Sequence, residues 1–531
     1  MTCGQRNQIQ GNLRSRNLKA LCEALSLFDP ENQGIETFRT LLQITAFFKK
    51  NAAFADVNAC TEAARLSFME AERQCQRTNK RLDWYYANPS HLDSAISSYL
   101  ERMQQYVHMT LGSVDRFIED LPRLIKVTDG ATASSSRIRS LPYLKVKRRY
   151  ECPPGTVPFL RSLATFYGYK VPRIRPVSEN RVEVVPKNWK TFRTIACEPD
   201  GALPFQLAFD TFAKRRLRAR GINLSDQSRN QLLAKEGSIN GSLATIDLSS
   251  ASDTVAFNTV ALLFPTEWFD VLNAFRSTHW RSKTFGNGSY QKFSSMGNGS
   301  TFAIETIVFA AACWAVGSRK FSVYGDDIII ETELVDPLLR ILSFLGFTVN
   351  KEKSYWSGPF RESCGSHWFQ GQLVTPFYIR DEFRHKSDLS HIINGLAALS
   401  PYGSLWKLLK GYLAQWELQL VPFNDVSTSG VWIDIHLSYK LKLVRWCSRR
   451  SLSHYQRYCP KDRITTVSDV RTLFLWYLDA YRVPYVEGGD ARLRSRQTLS
   501  THRYVRRWVS WLPPARLTPD HLYGWSEYIT H

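Results

Sequence analysis

At 531 residues the chain exceeds the ~250–300 residues at which single hydrophobic cores stop growing, so about two to four domains are expected. With 44% hydrophobic and 22% charged residues the composition is globular, which excludes wholesale disorder, a collagen-like repeat and a coiled-coil rod. Lys plus Arg outnumber Asp plus Glu by 69 to 48, and the net charge of +21 points to a polyanionic partner, either nucleic acid or an anionic membrane.

Taken in chain order, the opening stretch MTCGQRNQIQGNLRSRN carries charges with no apolar run behind them, so no secretory signal is expected. Residues 1–130 hold 16 basic and 15 acidic side chains, so the positive excess lies downstream. This near-neutral part reads as mainly helical through about residue 125, with helical spacing in LKALCEALSLF and SAISSYLERMQQYVHMTLGSVDRFIEDL. Residues 129–140, DGATASSSRIRS, read as an exposed linker, and residues 153–186 as basic, Pro-rich strands and loops. A basic run follows at Lys214, Arg215, Arg216, Arg218 and Arg220, which is either a solvated face or part of a polyanion surface.

Sharper signals begin at Leu243. LATIDLS reads as a buried strand ending in an acid, and SASDTVAFNTVALLF as the helix it feeds. SSMGNGS is a Gly-rich loop, and TFAIETIVFAAACWAVG a buried helix too short, and too interrupted by Glu305, to span a membrane. FSV and III flank the turn YGDD, where Gly325 before Asp326 suits a type II′ hairpin. Asp336 as N-cap and Pro337 at the first helical position then open a further helix. Strand, helix, helix, hairpin, helix is the order of a small α+β sheet of split βαβ type. The last basic stretch, residues 440–507, has 16 basic and 5 acidic side chains. Within it and just beyond, Arg503, Arg506 and Arg507 interleave with Tyr504, Trp508 and Trp511, either as a single-strand RNA grip or as an amphipathic segment. No repeat is visible at the ~20–50-residue periods of solenoids.

The acids carry the chemistry. Asp247, Asp326 and Asp327 all stand at strand ends, and a bare turn is the simpler account of the last two. Adjacent charges beside a buried sheet, however, repel unless a cation offsets them. Hard divalent ions with oxygen ligands, Mg²⁺ or Mn²⁺, suit that need. With Asp247 on a neighbouring strand, two ions about 3.5–4 Å apart would be bridged as in-line phosphoryl displacement requires. Ten scattered cysteines with no C-x-x-C pair fit reduced thiols in a cytosol, and Cys447, His454 and Cys459 lack the paired spacing of a zinc site. Cys364 and His367 read as structural.

Asp247 with Asp253, then Ser295-Met296-Gly297-Asn298-Gly299, then Tyr324-Gly325-Asp326-Asp327, in that order, resemble the palm of a viral RNA-dependent RNA polymerase. The strings GSLATIDLSSASD, SSMGNGSTF, YGDDI, GPFRESCG and TPFYIR resemble more narrowly the replicase catalytic (beta) subunit of the leviviruses, positive-strand RNA bacteriophages, over residues 181–380. The resemblance implies an α+β right-hand fold: a helical region 1–130 (fingers or partner-binding), basic fingers 131–242, a palm 243–380 and a basic thumb 381–531. It implies Asp247 and Asp326 as principal metal ligands with Asp327 assisting, Mg²⁺ as cofactor, and Mn²⁺ or Ca²⁺ as substitutes in binding. Asp253, Asn298 and Gly297 would meet the nucleotide ribose, local capping being the alternative for the first two. Lys187, Lys190 and Arg193 would hold the triphosphate, although Trp189 departs from the family's polar residue and puts the role of Lys190 in doubt. Lys351 or Lys353 would protonate the leaving pyrophosphate. Implied partners are RNA template and product, NTPs, host elongation factors Tu and Ts and an RNA-binding protein of the small ribosomal subunit, in the cytoplasm of a bacterial host with no membrane. A reverse transcriptase and a non-catalytic RNA-binding protein are the competing readings; Asp253 with Asn298 argues against the first and the ordered acids against the second.

Overall fold

The computed structural model describes residues 34–50, 55–128, 130–135, 149–168, 173–378, 390–391, 393–395, 419–422, 429–433, 444–447, 452–460 and 504–511. It divides into two compact units, residues 1–375 and 376–531, both drawn from a mixed α+β chain. The predicted helix LKALCEALSLF lies outside the described residues, as does half of the predicted linker; in the described half, residues 130–135, the expected exposure is corrected, since Thr132 and Ser135 are buried and donate to the Asp200 carboxylate.

The described residues of the first unit begin with four helices, α1 (Ile35–Lys49), α2 (Val57–Ala87), α3 (Ser94–Leu111) and α4 (Val114–Leu124). Asp56 caps α2 by accepting from the Asn58 and Ala59 amides, and Asp93 caps α3 likewise through Ala95 and Ile96. Along α2 the buried residues Cys60, Ala64, Phe68, Ala71, Cys75, Thr78 and Leu82 recur at three- and four-residue steps, giving this long helix one inward stripe. Strand β1 (Arg149–Cys152) runs parallel to β2 (Arg173–Pro176), and α5 (Val157–Phe166) lies between them where only strands and loops were expected.

Next come β3 (Glu179–Pro186), β4 (Phe192–Cys197), α6 (Leu203–Ala219) and α7 (Ser228–Asn240). The basic run on α6 is partly internal: Lys214 pairs with Asp210 at 2.7 Å, and Arg216 donates to the Thr110 carbonyl at 2.8 Å. The middle of the unit is built from β5 (Leu243–Ile246), α8 (Phe257–Leu263), α9 (Thr266–Ala274), β6 (His279–Ser282), β7 (Gly286–Ser289) and α10 (Thr301–Ala315). The hairpin β8 (Ser322–Tyr324) and β9 (Asp327–Glu331) follows, then α11 (Val335–Phe344) and the strands β10 (Phe360–Ser363), β11 (Ser366–Phe369) and β12 (Gln372–Leu373). The β6–β7 hairpin joins β3 and β4 in a sheet of order β4-β3-β6-β7.

A separate sheet of order β5-β9-β8 positions the acids. Its central strand β9 is antiparallel to both neighbours, with Ile246 opposite Ile328 and Tyr324 opposite Asp327. The period of two splits β9 between faces. Ile328 and Ile330 enter the large core shared with α10, while Ile329 packs with Leu243 and Ala234 of α7. Each such buried side chain contributes roughly 1.5–3 kcal/mol. Helix α10 is buried on nearly all sides, as its apolar sequence predicts.

One predicted boundary is corrected. Helix α11 begins at Val335, so Asp336 and Pro337 lie inside its first turn instead of at the cap and the first helical position. The 3-10 turn Thr332–Leu334 runs directly into the helix and supplies its entry, and Pro337 is tolerated because first-turn amides need no intrahelical acceptor.

In the second unit, β13 (Leu420–Pro422) is parallel to β14 (Val431–Ile433), and the buried Asn394 donates to the Gly430 carbonyl and accepts from the Trp432 amide. Strands β15 (Val444–Cys447), β16 (Leu452–Pro460) and β17 (Tyr504–Trp511) form an antiparallel sheet. Candidate RNA contacts Arg506, Arg507 and Trp508 stand on β17, opposite Tyr458, Arg457 and Gln456; Arg503 lies outside the described residues. Among the described residues no helix is long and apolar enough to cross a membrane.

Candidate active site

Asp247 follows β5 directly, and the turn after α11 grips it. Its amide donates to Ser354 Oγ at 3.0 Å, its carbonyl accepts from the Asn350 amide at 2.9 Å, and its Oδ2 accepts from Asn350 Nδ2 at 2.9 Å. Lys353 Nζ lies 3.5 Å from the same oxygen. Burial pushes the Asp247 carboxyl above its usual range, and Asp326 and Glu362 add to that against the opposing pull of Lys353 and Asn350.

Asp326 stands in the two-residue turn of the β8–β9 hairpin. Gly325 has φ +62° and Asp326 does not share the positive φ, the pattern of a type II′ turn. A Cβ at Gly325 would also collide with the Phe302 ring, so neither backbone nor space admits a side chain. Asp327 opens β9 and is held by the next sheet: Ser363 Oγ donates to Oδ1 at 3.4 Å, and the Cys364 amide donates as well. Burial, then the field of Asp326, pushes its carboxyl up to about 7.

The predicted cations of the β3–β4 hairpin, Lys187 and Lys190 in its loop and Arg193 on β4, separate into two groups. Loss of surrounding water lowers the Lys187 ammonium, Arg193 and Lys353 lower it further, and Asp247 and Asp326 pull it back up. Lys187, Arg193 and Lys353 therefore share one field with the two acids. Lys190 does not join them: its Nζ lies over the Trp189 ring, 5.3 Å from the centroid. Lys351 is exposed on the turn that carries Lys353.

The Gly-rich loop is fastened to β4 and α6. Ala196 donates to the Met296 carbonyl at 2.7 Å, and the Gly299 amide donates to Gln206 Oε1 at 3.0 Å. Gly297 has φ +105°, and a Cβ there would strike the Ala196 carbonyl. Asn298 is buried, and its Oδ1 accepts from the Ser300 amide at 2.9 Å and hydroxyl at 2.6 Å, the local capping weighed for it. Asp253 ends a 3-10 turn, and its Oδ1 accepts from Lys292 Nζ at 2.8 Å.

Four charged residues at this site escaped the sequence reading. Lys292 and Glu72 give no motif, since they meet only in space. Glu362 lies in the quoted string GPFRESCG, but only the fold shows that its charge reaches Asp247 and Asp327; it also faces buried His367, whose Nε2 is 3.3 Å away. Glu305 interrupts an apolar helix, a signal read only as an argument against a membrane span. It is buried behind the acid turn, accepts from Ser252 Oγ at 2.7 Å, and is pushed up to about 8 by burial and then by Asp326.

Among the described residues no three His, Cys, Asp or Glu side chains converge closely enough to hold a metal by themselves. The donors still suit Mg²⁺, which takes one or two carboxylates and completes its shell with water and substrate phosphates. Asp247 and Asp326 are the pair that fit; Asp327 is engaged by Ser363 and Cys364.

The model of the RNA replicase beta-chain family matches residues 15–407. The RNA-directed RNA polymerase subunit beta of Enterobacteria phage SP is 36% identical over 420 residues, which cover 75% of this chain and 70% of that protein. The corresponding subunit of Escherichia virus Qbeta is 36% identical over 353 residues, covering 64% of this chain and 58% of its own. The beta chain of Escherichia phage MS2 is 40% identical over 236 residues, 44% of this chain and 43% of that one. Among solved structures, the BmCPV RNA-dependent RNA polymerase at its elongation state overlays with a TM-score of 0.35 at 14% identity, covering 57% of this chain and 31% of that one. This chain belongs to the RNA replicase beta-chain family of phage RNA-directed RNA polymerases.

Proposed function

We propose that this RNA-directed RNA polymerase joins nucleotides where the acids of the β5-β9-β8 sheet share a field with the cations of the β3–β4 hairpin, using Asp247 and Asp326 as its metal-binding pair. The observation that carries the reading is the shared field of Asp247, Asp326, Lys187, Arg193 and Lys353, acids for cations beside cations for a triphosphate. When bound there, Mg²⁺ (or Mn²⁺) supplies activation of the primer 3′-hydroxyl and neutralisation of the triphosphate. Lys187 and Arg193 orient the incoming NTP through its phosphates. Lys353, tethered to Asp247 and half-exposed, is placed better than Lys351 to give a proton to departing pyrophosphate. Asp253 and Asn298 meet the ribose, where a 2′-hydroxyl can both donate and accept. Asp327 acts behind Asp326, holding the hairpin to β10.

In this reading the split βαβ sheet is the palm of a right hand. The helical region 1–130 and the basic region 131–242 are fingers or a partner surface, residues 243–380 the palm and residues 381–531 the thumb. Template and product RNA, host factors Tu and Ts, a ribosomal RNA-binding protein and the bacterial cytoplasm belong to the same proposal. Incubation with RNA template, Mg²⁺, host extract and either rNTPs or dNTPs tests it. Incorporation of rNTPs is expected; incorporation of dNTPs alone overturns it in favour of a reverse transcriptase.

A further inference from the structure

Lys292 has no exposed surface, yet it carries a charge beside the candidate ribose sensor. Its Nζ lies 2.8 Å from Asp253 Oδ1 and 3.3 Å from Glu72 Oε1, and sits over the Phe68 ring 4.2 Å from the centroid. Burial opposes the ammonium, but Asp253 and Glu72 more than reverse that, so its pKa is raised. Helix α2 holds the same stretch of chain twice more. Glu72 Oε2 accepts from the Gln291 amide at 2.6 Å, and Asn79 Nδ2 donates to the Gln291 carbonyl at 2.8 Å.

Stability alone does not account for this cluster. Buried ion pairs are often matched or bettered by apolar side chains of similar volume, so a charged one beside a binding residue argues for geometry. Lys292 fixes one oxygen of Asp253 and leaves the other to accept from a ligand. We propose that Lys292, anchored by Glu72 of α2, is a positioning residue that aims Asp253 at the ribose 2′-hydroxyl and so sets the preference for ribonucleotides. The inference rests on the ribose role given to Asp253 above and adds that α2, more than 150 positions upstream, controls it.

The test compares kcat/KM for a ribonucleotide and its 2′-deoxy counterpart, in the full chain with its host factors, across Asp253→Asn, Lys292→Met, Glu72→Gln and the Lys292→Met/Asp253→Asn double variant. Loss of a charge-assisted hydrogen bond is worth about 10-fold or more in that ratio. Lys292→Met is expected to lower it by that factor, Glu72→Gln by less, and Lys292→Met to add nothing once Asp253 is Asn. Glu72→Gln keeps an acceptor for the Gln291 amide and decides the matter if Lys292→Met does not fold. Should Asp253→Asn lower the ratio while Glu72→Gln and Lys292→Met leave it intact, or reduce both substrates equally, the positioning role is overturned and the ribose reading stands. An unchanged ratio in Asp253→Asn overturns both.

Discussion

Two groups of carboxylates lie in the first unit, and the fold treats them in opposite ways. Asp253 and Glu72 share a lysine that is 0% exposed, so their charge is answered inside the protein by a side chain that cannot leave. Asp247, Asp326 and Asp327 have Lys353 3.5 Å from Asp247 and 45% exposed, with Lys187 and Arg193 in the same field, and they raise one another's energy. The difference separates geometry from chemistry. Acids tied to a cation locked inside the protein can hold a shape; acids left to repel one another store an affinity for outside cations, to be used when substrate arrives.

The contrast breaks first at Asp326. Asp326→Asn keeps the turn and removes one charge, so nucleotide incorporation is expected to fall by roughly 10³-fold or more, the worth of several kcal/mol of metal-assisted stabilisation. Template retention on a filter should be unchanged. A variant that keeps more than about a tenth of the wild-type rate would show that the open acids are structural after all.

Lys353 gives the next largest effect. Lys353→Met removes a general-acid candidate and is expected to lower kcat by about 100-fold, whereas Lys351→Met should stay within about twofold because Lys353, and not Lys351, pairs with Asp247. Single-turnover rates for the two variants decide it, and equal losses would remove Lys353 from the role.

Glu305 sits between the two clusters and sharpens the comparison by pH. Its folded pKa of about 8 lies above the ordinary 4.5, so the folded chain binds the extra proton and stability is lost as pH rises through that window. Glu305→Gln cannot ionise yet can still accept from Ser252. Without divalent cations, its Tm should match the wild type near pH 5 and exceed it by a few degrees near pH 8.5. A difference independent of pH would mean that Glu305 is already charged in the fold.

The open cluster was readable in the sequence because its parts are local and ordered: an acid ending an apolar run, a Gly-rich loop, and a glycine before two acids. The closed cluster was not. Gln291 and Glu72 are 219 positions apart, and no periodicity in either segment announces the meeting. The β6–β7 hairpin was missed because Gly286-Asn287-Gly288-Ser289 has no apolar alternation and pairs through its backbone alone. Misplacement of the α11 start has a similar cause, since Asp336 and Pro337 satisfy the local rule for a cap while the preceding 3-10 turn takes over that position. Local chemistry is written in adjacent residues; the cation that fixes a distant acid is decided only by packing.

The smallest effect tests whether the cations obey the same division as the acids. Lys187 and Lys190 are three positions apart in one loop, and charge counting treats them alike. Lys187 lies in the field of Asp247 and Asp326, whereas the Lys190 ammonium rests on Trp189, a contact worth about 0.5–1 kcal/mol at an exposed site. Lys187→Met is therefore expected to raise KM for NTP by about tenfold, the worth of one charge-assisted contact. Lys190→Met should change it by about twofold or less, through altered loop packing alone. Trp189 is then the reason the second lysine is withheld from the triphosphate, and Trp189→Ser, which frees Lys190, should make a subsequent Lys190→Met more damaging than it is in the wild type. If Lys190→Met costs the same with or without Trp189, the indole does not govern that lysine and the loop's cations act as an undivided patch.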